Sequence, residues 1–141
     1  MATLSELSDA VATYLGTLEL DGEPTIAKWL PQEQLAYDSL ENLSGVKIVV
    51  VPYGVTQIET AEGIDEVRQE IRIVVQRKIS AAADYEAAAA ITERIVAALV
   101  GTTLLDRRCV EIRMTPAVDY GRMAEMAVYD AVAITNWLTY E

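Results

Sequence analysis

The chain has no histidine, a single cysteine, and half as many basic as acidic residues, 11 Lys and Arg against 22 Asp and Glu in 141 positions. Each shortage removes a class of function. Without histidine the usual general base for a serine or cysteine nucleophile is missing, and lysine or a carboxylate would have to replace it. One cysteine, Cys109, allows neither an intrachain disulfide nor a four-ligand Cys/His zinc site. The redox compartment stays open, although a reducing cytoplasm fits. The formal net charge of −11 works against strong general attraction to a phosphate backbone. No apolar run approaches a membrane span. The opening "MATLSELSDAVATYLG" has no basic n-region and spaces its apolar residues, unlike a secretory signal. GxGxxG, GxxxxGK[ST] and GxSxG are all missing. The expectation is a soluble protein, intracellular at synthesis, with no enzymatic activity, cofactor or metal.

What is present reads as one domain over residues 1–141. A chain of this size buries more than about 60% of its unfolded surface, enough for a core without a staple. Thr3 and Glu6 have the spacing of a capping box, and Leu4, Leu7, Val11, Leu15 and Leu18 recur at helical intervals. "ELDGEPT" ends that helix with turn chemistry, and a short strand follows over 25–30. "PQEQLAYDSLENLSG" is a polar connection with one helical turn around Leu40 and Leu43, closed by Gly45. In "VKIVVV" five of six residues are β-branched and apolar, which predicts an interior strand over 46–51. Pro52 and Gly54 mark a bend or bulge, after which the strand resumes to Thr60. "AEGID" then turns the chain into an alternating strand. Val67, Ile71, Ile73, Val75 and Ile79 share one face, against Glu66, Arg68, Glu70, Arg72, Gln76 and Lys78.

"ADYEAAAAITERIVAALVG" returns to a helical period, with Asp84 as N-cap, a stripe of Ala88, Ile91, Ile95 and Leu99, and Gly101 at C′. Its alanines make both faces slim, so helix and sheet can approach closely. A strand near Val110, Ile112 and Met114 stops at Pro116. "DYG" makes another turn, and a long last strand sets Met126, Val128, Val132, Ile134 and Leu138 against Ala127, Tyr129, Ala131, Thr135 and Trp137. The order α-β-β-β-α-β-β predicts an α+β fold: a mainly antiparallel sheet with a long β-hairpin and two helices packed on one face.

Several residues have two readings. Cys109 lies beside Arg107 and Arg108, which would lower a thiol pKa if their heads were close, but a small buried residue at a strand start is favoured. Glu59, Glu62, Asp65 and Glu66 crowd one turn without the spacing of a calcium loop, so a solvated hairpin tip is favoured over a cation site. Asp130 breaks the apolar face of the last strand, and Gln69 and Arg77 that of the hairpin strand. They are either lapses at a sheet edge or groups paired across a subunit interface. Tyr129, Trp137 and Tyr140 are core residues or interface anchors.

The order "AKWLPQEQLAYDSLENLSGVKIVVVPYG", an alternating strand ending "IVVQRKI", the helix "YEAAAAITERIVAALVG" and a closing strand after "TPAVDYGRMAEMAVYDAVAITNW" resembles the tail-completion and neck proteins of tailed bacteriophages from about Ala27 onward. In that family an aromatic, Leu-Pro, a polar spacer and a Val-rich strand ending in Pro recur, as does a strand ending in Gln with basic residues after it. "MAEMAVYDAV" is more acidic and richer in alanine than the matching family segment. The resemblance implies a virion component similar to tail terminators. Such a protein forms a six-fold homo-oligomeric ring at the head-proximal end of the tail tube and contacts tube and neck or connector proteins. It is assembled in the host cytoplasm, binds no membrane, and lets DNA pass its lumen without specific binding. A small subunit with long ribbons suits such a ring, because heterologous contacts close by rotation and long edge strands become interfaces. The interface candidates are Tyr53, Gly54, Glu62, Gly63, Ile64, Arg77, Asp130 and Trp137. Six copies would carry six times the charge of one, and an acidic wall would repel DNA; plain solubility explains the same charge. The alternative function is a small oligomeric ligand-binding regulator of ferredoxin-like type, with a carboxylate-dependent metal hydrolase behind it.

Overall fold

The computed structural model describes residues 3–20, 24–28, 45–59, 65–79, 81–114 and 128–140. The expected turn at 21–23, the helical turn around Leu40 and Leu43, the hairpin tip with Glu62, Gly63 and Ile64, and the turn after Pro116 lie outside them. Helix α1 spans Leu4–Gly16. Its capping box is formed: Thr3 Oγ1 accepts from the Glu6 N–H at 3.1 Å and Glu6 Oε1 from the Thr3 N–H at 3.4 Å, satisfying two of the otherwise orphaned donors of the first turn. Leu7, Val11 and Leu15 are buried, with Leu4 and Leu18 packed partly against them.

Helix α2 spans Ala82–Leu99 and buries Ala88, Ile91, Thr92, Ile95 and Leu99. Asp84, expected as its N-cap, sits at N3 instead. The N-cap is Ala81, which has no capping side chain, and Asp84 Oδ2 reaches back to accept from the Ala81 N–H at 3.2 Å. The carboxylate does the work of a cap from inside the first turn, where the helix dipole also favours it. Gly101 closes the helix at φ +75°, a left-handed conformation that costs glycine little. Tyr14 donates its hydroxyl to the Ala98 carbonyl at 3.2 Å and Arg94 donates to the Leu18 carbonyl at 2.7 Å, which ties α1 to α2.

The strands are β1 (Thr25–Lys28), β2 (Lys47–Glu59), β3 (Asp65–Lys78), β4 (Thr103–Leu104), β5 (Arg107–Met114) and β6 (Val128–Tyr140). They form one sheet in the order β1-β2-β3-β6-β5-β4. Only β1 and β2 run parallel; the other pairs are antiparallel. The result is the α+β fold expected, with a two-residue β4 added. The long hairpin pairs Lys47 with Gln76 through to Glu59 with Asp65, and its register shifts between Pro52 and Gly54. The bulge predicted from proline and glycine is therefore real. A second shift separates Cys109 and Glu111 in β5.

Helices and sheet share one core on one face of the sheet. Across it the register aligns Ile48, Val75 and Ala131 in one row and Val50, Ile73 and Ala133 in the next, all within the buried cluster that holds Leu7, Val11, Ile91, Ile95 and Leu99. Alanines in β6 and at Ala88 let α2 lie close to the strands.

The last strand turns the other way from the expectation. Tyr129, Ala131, Ala133, Thr135 and Trp137 are between 0 and 2% exposed and face the helices, whereas Val132, Ile134 and Leu138 are half-buried on the opposite face. Both faces of β6 are apolar in sequence, so the pairing of Ile73 with Ala133 and Ile71 with Thr135 decides which is covered. Gln76, grouped with the outward residues of β3, is buried along with Val74. An interior strand flanked by β2 and β6 shields its second face as well.

Candidate interface surface

The bulge in β2 brings Tyr53 and Val55 to the surface, 59% and 55% exposed. Arg72, the register partner of Val51, lies 3.4 Å above the centroid of the Tyr53 ring while its Nε donates to Glu70 Oε2 at 2.9 Å. This cation–π stack is worth roughly 0.5–1 kcal/mol at an exposed site. It holds an aromatic ring flat on the sheet's outer face. Gly54 has open space around it, so any side chain fits there sterically.

At the far side of the sheet β5 presents Val110 and Met114, 49% and 42% exposed. Val110 sits at the bulge after Cys109, and the shift there puts Met114 in register with buried Ala133, on the helix-bearing face but beyond the helices' cover. Val100 and Leu105 add exposed apolar surface near β4. Between these patches the molecule is held by buried polar contacts. Arg107 is buried and donates to Gln69 Oε1 at 2.7 Å, reaching across β6, where Gln69, Trp137 and Cys109 share a row. Trp137 Nε1 donates to Thr135 Oγ1 at 2.8 Å, and that hydroxyl donates to the Ile71 carbonyl at 2.6 Å.

The interface candidates therefore separate. Tyr53 and Gly54 lie together on the surface bulge. Arg77 is half-buried and bonds Asp84 of α2 at 2.8 Å within the chain, so its charge, like the polar head of Gln69, has a partner inside the subunit. Trp137 is 0% exposed and packs in the subunit's own core. Asp130 holds a backbone position in β6 opposite Gln76; Glu62, Gly63 and Ile64 lie outside the described residues. Val55, Val110 and Met114 are further exposed apolar residues, each at or beyond a bulge that shifts the alternation of its strand. The Pro-Tyr-Gly run signalled the first bulge, and nothing comparable in the sequence signals the second.

Cys109 is buried, and loss of hydration pushes its thiol up to about 11, with a backbone hydrogen bond at Glu111 opposing. The thiol is inert at neutral pH. Tyr129 is likewise raised, first by burial, while its bond to Thr92 at 3.0 Å pulls the other way. Tyr129, Tyr85, Thr92, Val96 and Met114 line an open groove of about 500 Å³ with Glu93 at its rim. Among the described residues no three acidic or thiol groups come together as metal ligands.

No protein-family model and no curated protein sequence matches the chain. Among solved structures it is similar to a chain of the "Virion of native gene transfer agent (GTA) particle", with a TM-score of 0.57 and 16% identity over 96% of this chain and 94% of that one. At that identity the likeness is one of fold, and it runs the length of both chains.

Proposed function

We propose that this protein is a structural subunit of a phage-like virion, acting as a tail terminator or neck protein that forms a ring at the head-proximal end of the tail tube and joins tail to head. The observation that carries the reading is the end-to-end correspondence of fold with a chain of a gene transfer agent virion. The family resemblance of the sequence points the same way. Exposed apolar residues on both flanks of one sheet suit a subunit with neighbours on two sides. In this reading the net charge of −11 keeps passing DNA from adhering to the lumen. The hairpin tip, with Glu62, Gly63 and Ile64, meets the tail or neck partner.

Native mass spectrometry of the purified chain, followed by negative-stain microscopy of any large species, tests the ring. A six-fold assembly with an open lumen is expected. A tight dimer or trimer would refute it and favour a ligand-binding regulator, for which the groove under Tyr85 and Tyr129 supplies a site. Deleting residues 62–64 is expected to block tail joining while the fold survives; normal particles after the deletion would remove the tip from the interface.

A further inference from the structure

The two flanks of the sheet are unequally finished. Strand β1 covers β2 only from Lys47 to Val50, and β4 covers β5 only at Arg107 and Arg108, with two further backbone bonds, from the Gly101 N–H to the Cys109 carbonyl and from the Cys109 N–H to the Thr102 carbonyl. Beyond these points no described strand pairs with the outer edge of β2 or of β5. An uncovered strand edge carries a row of unpaired donors and acceptors and invites another strand.

Backbone parity says which groups those are. The Thr25 N–H donates to the Val46 carbonyl, so the polar groups of Val46, Ile48 and Val50 point toward β1, and Pro52 is in phase with them. Its missing N–H thus falls on the outer edge, where it takes nothing from the pairing with β3. The bulge then shifts the phase, because Gly54 pairs with Glu70 and Val55 with Gln69. From there Val55, Gln57 and Glu59 direct their backbone groups outward. On the other flank Cys109 exchanges bonds with Gly101 and Thr102 and so faces outward. After the second bulge Glu111 pairs with Asn136 and Ile112 with Thr135, which leaves Ile112 and Met114 facing out.

Val55 and Met114 also lie on the helix-bearing face, since Val55 is in register with buried Gln69 and Met114 with buried Ala133. Had the two sets lain on opposite faces, joining the edges would put the helices of successive copies on alternate sides of the sheet, which rotation about one axis cannot produce. The direction fits too. Along the order β2-β3-β6-β5 three antiparallel pairings leave β5 antiparallel to β2, and rotation about an axis running roughly along the strands preserves that relation between neighbours.

We infer that copies of this chain join by continuing one sheet into the next, residues 55–59 of β2 in one copy pairing antiparallel with residues 110–114 of β5 in its neighbour. This rests on the ring reading and names its joint. The occupant of each edge is the other edge of a second copy, because phase, face and direction all match, and each edge carries exposed apolar side chains, Val55 and Tyr53 on one and Val110 and Met114 on the other. Using the whole of both stretches sets Val55 opposite Met114.

Val55→Pro tests the joint, because it removes an outward N–H and takes no bond from β3. The full chain and this variant are compared by sedimentation velocity from low to high micromolar concentration. The expected result is a variant that keeps its far-UV circular dichroism and melts within a few degrees of the parent but associates at least about tenfold more weakly. A second test stands if that variant misfolds: Val55→Cys with Met114→Cys, treated with a short bismaleimide, is expected to give a covalent ladder beyond dimer that neither single change gives. Hydrogen-bonded antiparallel partners lie about 5.5 Å apart at Cα, within reach of such a link. Rings that form equally well in Val55→Pro and yield no ladder overturn the edge joint and leave the ring standing. Open fibres that Val55→Pro abolishes support the joint and overturn the ring. A parent chain that stays monomeric throughout overturns the joint.

Discussion

Replacing Thr135 by valine should isolate the worth of one buried relay. The side chain is fully buried; its hydroxyl accepts from Trp137 Nε1 at 2.8 Å and donates to the Ile71 carbonyl at 2.6 Å. Valine fills nearly the same volume, so little cavity term arises. What remains is an indole N–H with 0% exposure around its ring and no acceptor, and stranding a buried donor costs about 1–3 kcal/mol. Trp137→Phe removes the donor together with part of a large buried ring, at roughly 1–3 kcal/mol by area. In the double variant the stranded N–H no longer exists. Its loss should therefore fall short of the sum of the singles by about 1 kcal/mol or more. Urea unfolding followed by circular dichroism at about 1 μM measures all four proteins with the least contribution from association. Strict additivity would refute the reasoning, since it would mean that the indole N–H gains nothing from Thr135.

Asp84→Ala should cost about 1 kcal/mol, because it removes the bond to the Ala81 N–H and the ion pair with Arg77 together. Arg77→Ala should cost less, as a half-exposed pair contributes at most about 1 kcal/mol; a greater loss for Arg77→Ala in thermal melts would reverse that ranking. The raised pKa of Cys109, about 11 against 9.0, places its stabilising contribution fully below pH 9. That contribution is lost as pH climbs through 11, in total roughly 2–3 kcal/mol. Tyr129 is raised too and adds a loss of the same sign above about pH 10. Melting curves from pH 8 to 11 should fall more steeply for the parent than for Cys109→Ala, and parallel curves would count against a buried neutral thiol. Gly101→Ala should cost about 1 kcal/mol through its φ of +75° alone, since an added Cβ meets only the end of the Arg108 side chain at 3.8 Å; a neutral change by calorimetry would show that the turn relaxes.

Local chemistry made much of this molecule legible beforehand. The capping box at Thr3, the stripe Leu7, Val11 and Leu15, the stripe Ala88 to Leu99, the terminal Gly101 and the bulge at Pro52 are all short-range signals, and each is found where its residues sit. The surface was less legible. Tyr53 stands out because it sits between proline and glycine. Val110, Ile112 and Met114 read only as members of one strand, and the shift after Cys109 that separates Val110 from Ile112 and Met114 has no signal in the sequence. Arg77 and Gln69 read either as lapses at a sheet edge or as groups paired across an interface, while the structure gives each a partner in the same chain, Asp84 and Arg107.

Sequence by itself determined the class of the fold, the two helices, the capping box of the first and the closing glycine of the second, the long hairpin and the poverty of catalytic groups, because each depends on periodicity, turn chemistry or composition within a few residues. Only the tertiary structure decided which face of β6 is buried, which strands flank it, and which polar residues meet across it. Val132, Ile134 and Leu138 are as apolar as the residues that took the core. A strand with two apolar faces has no preference of its own, and the choice passes to the register of its neighbours: Ile71 and Ile73 of β3, already committed to the helices, set Thr135 and Ala133 beside them and turn the rest of the strand accordingly.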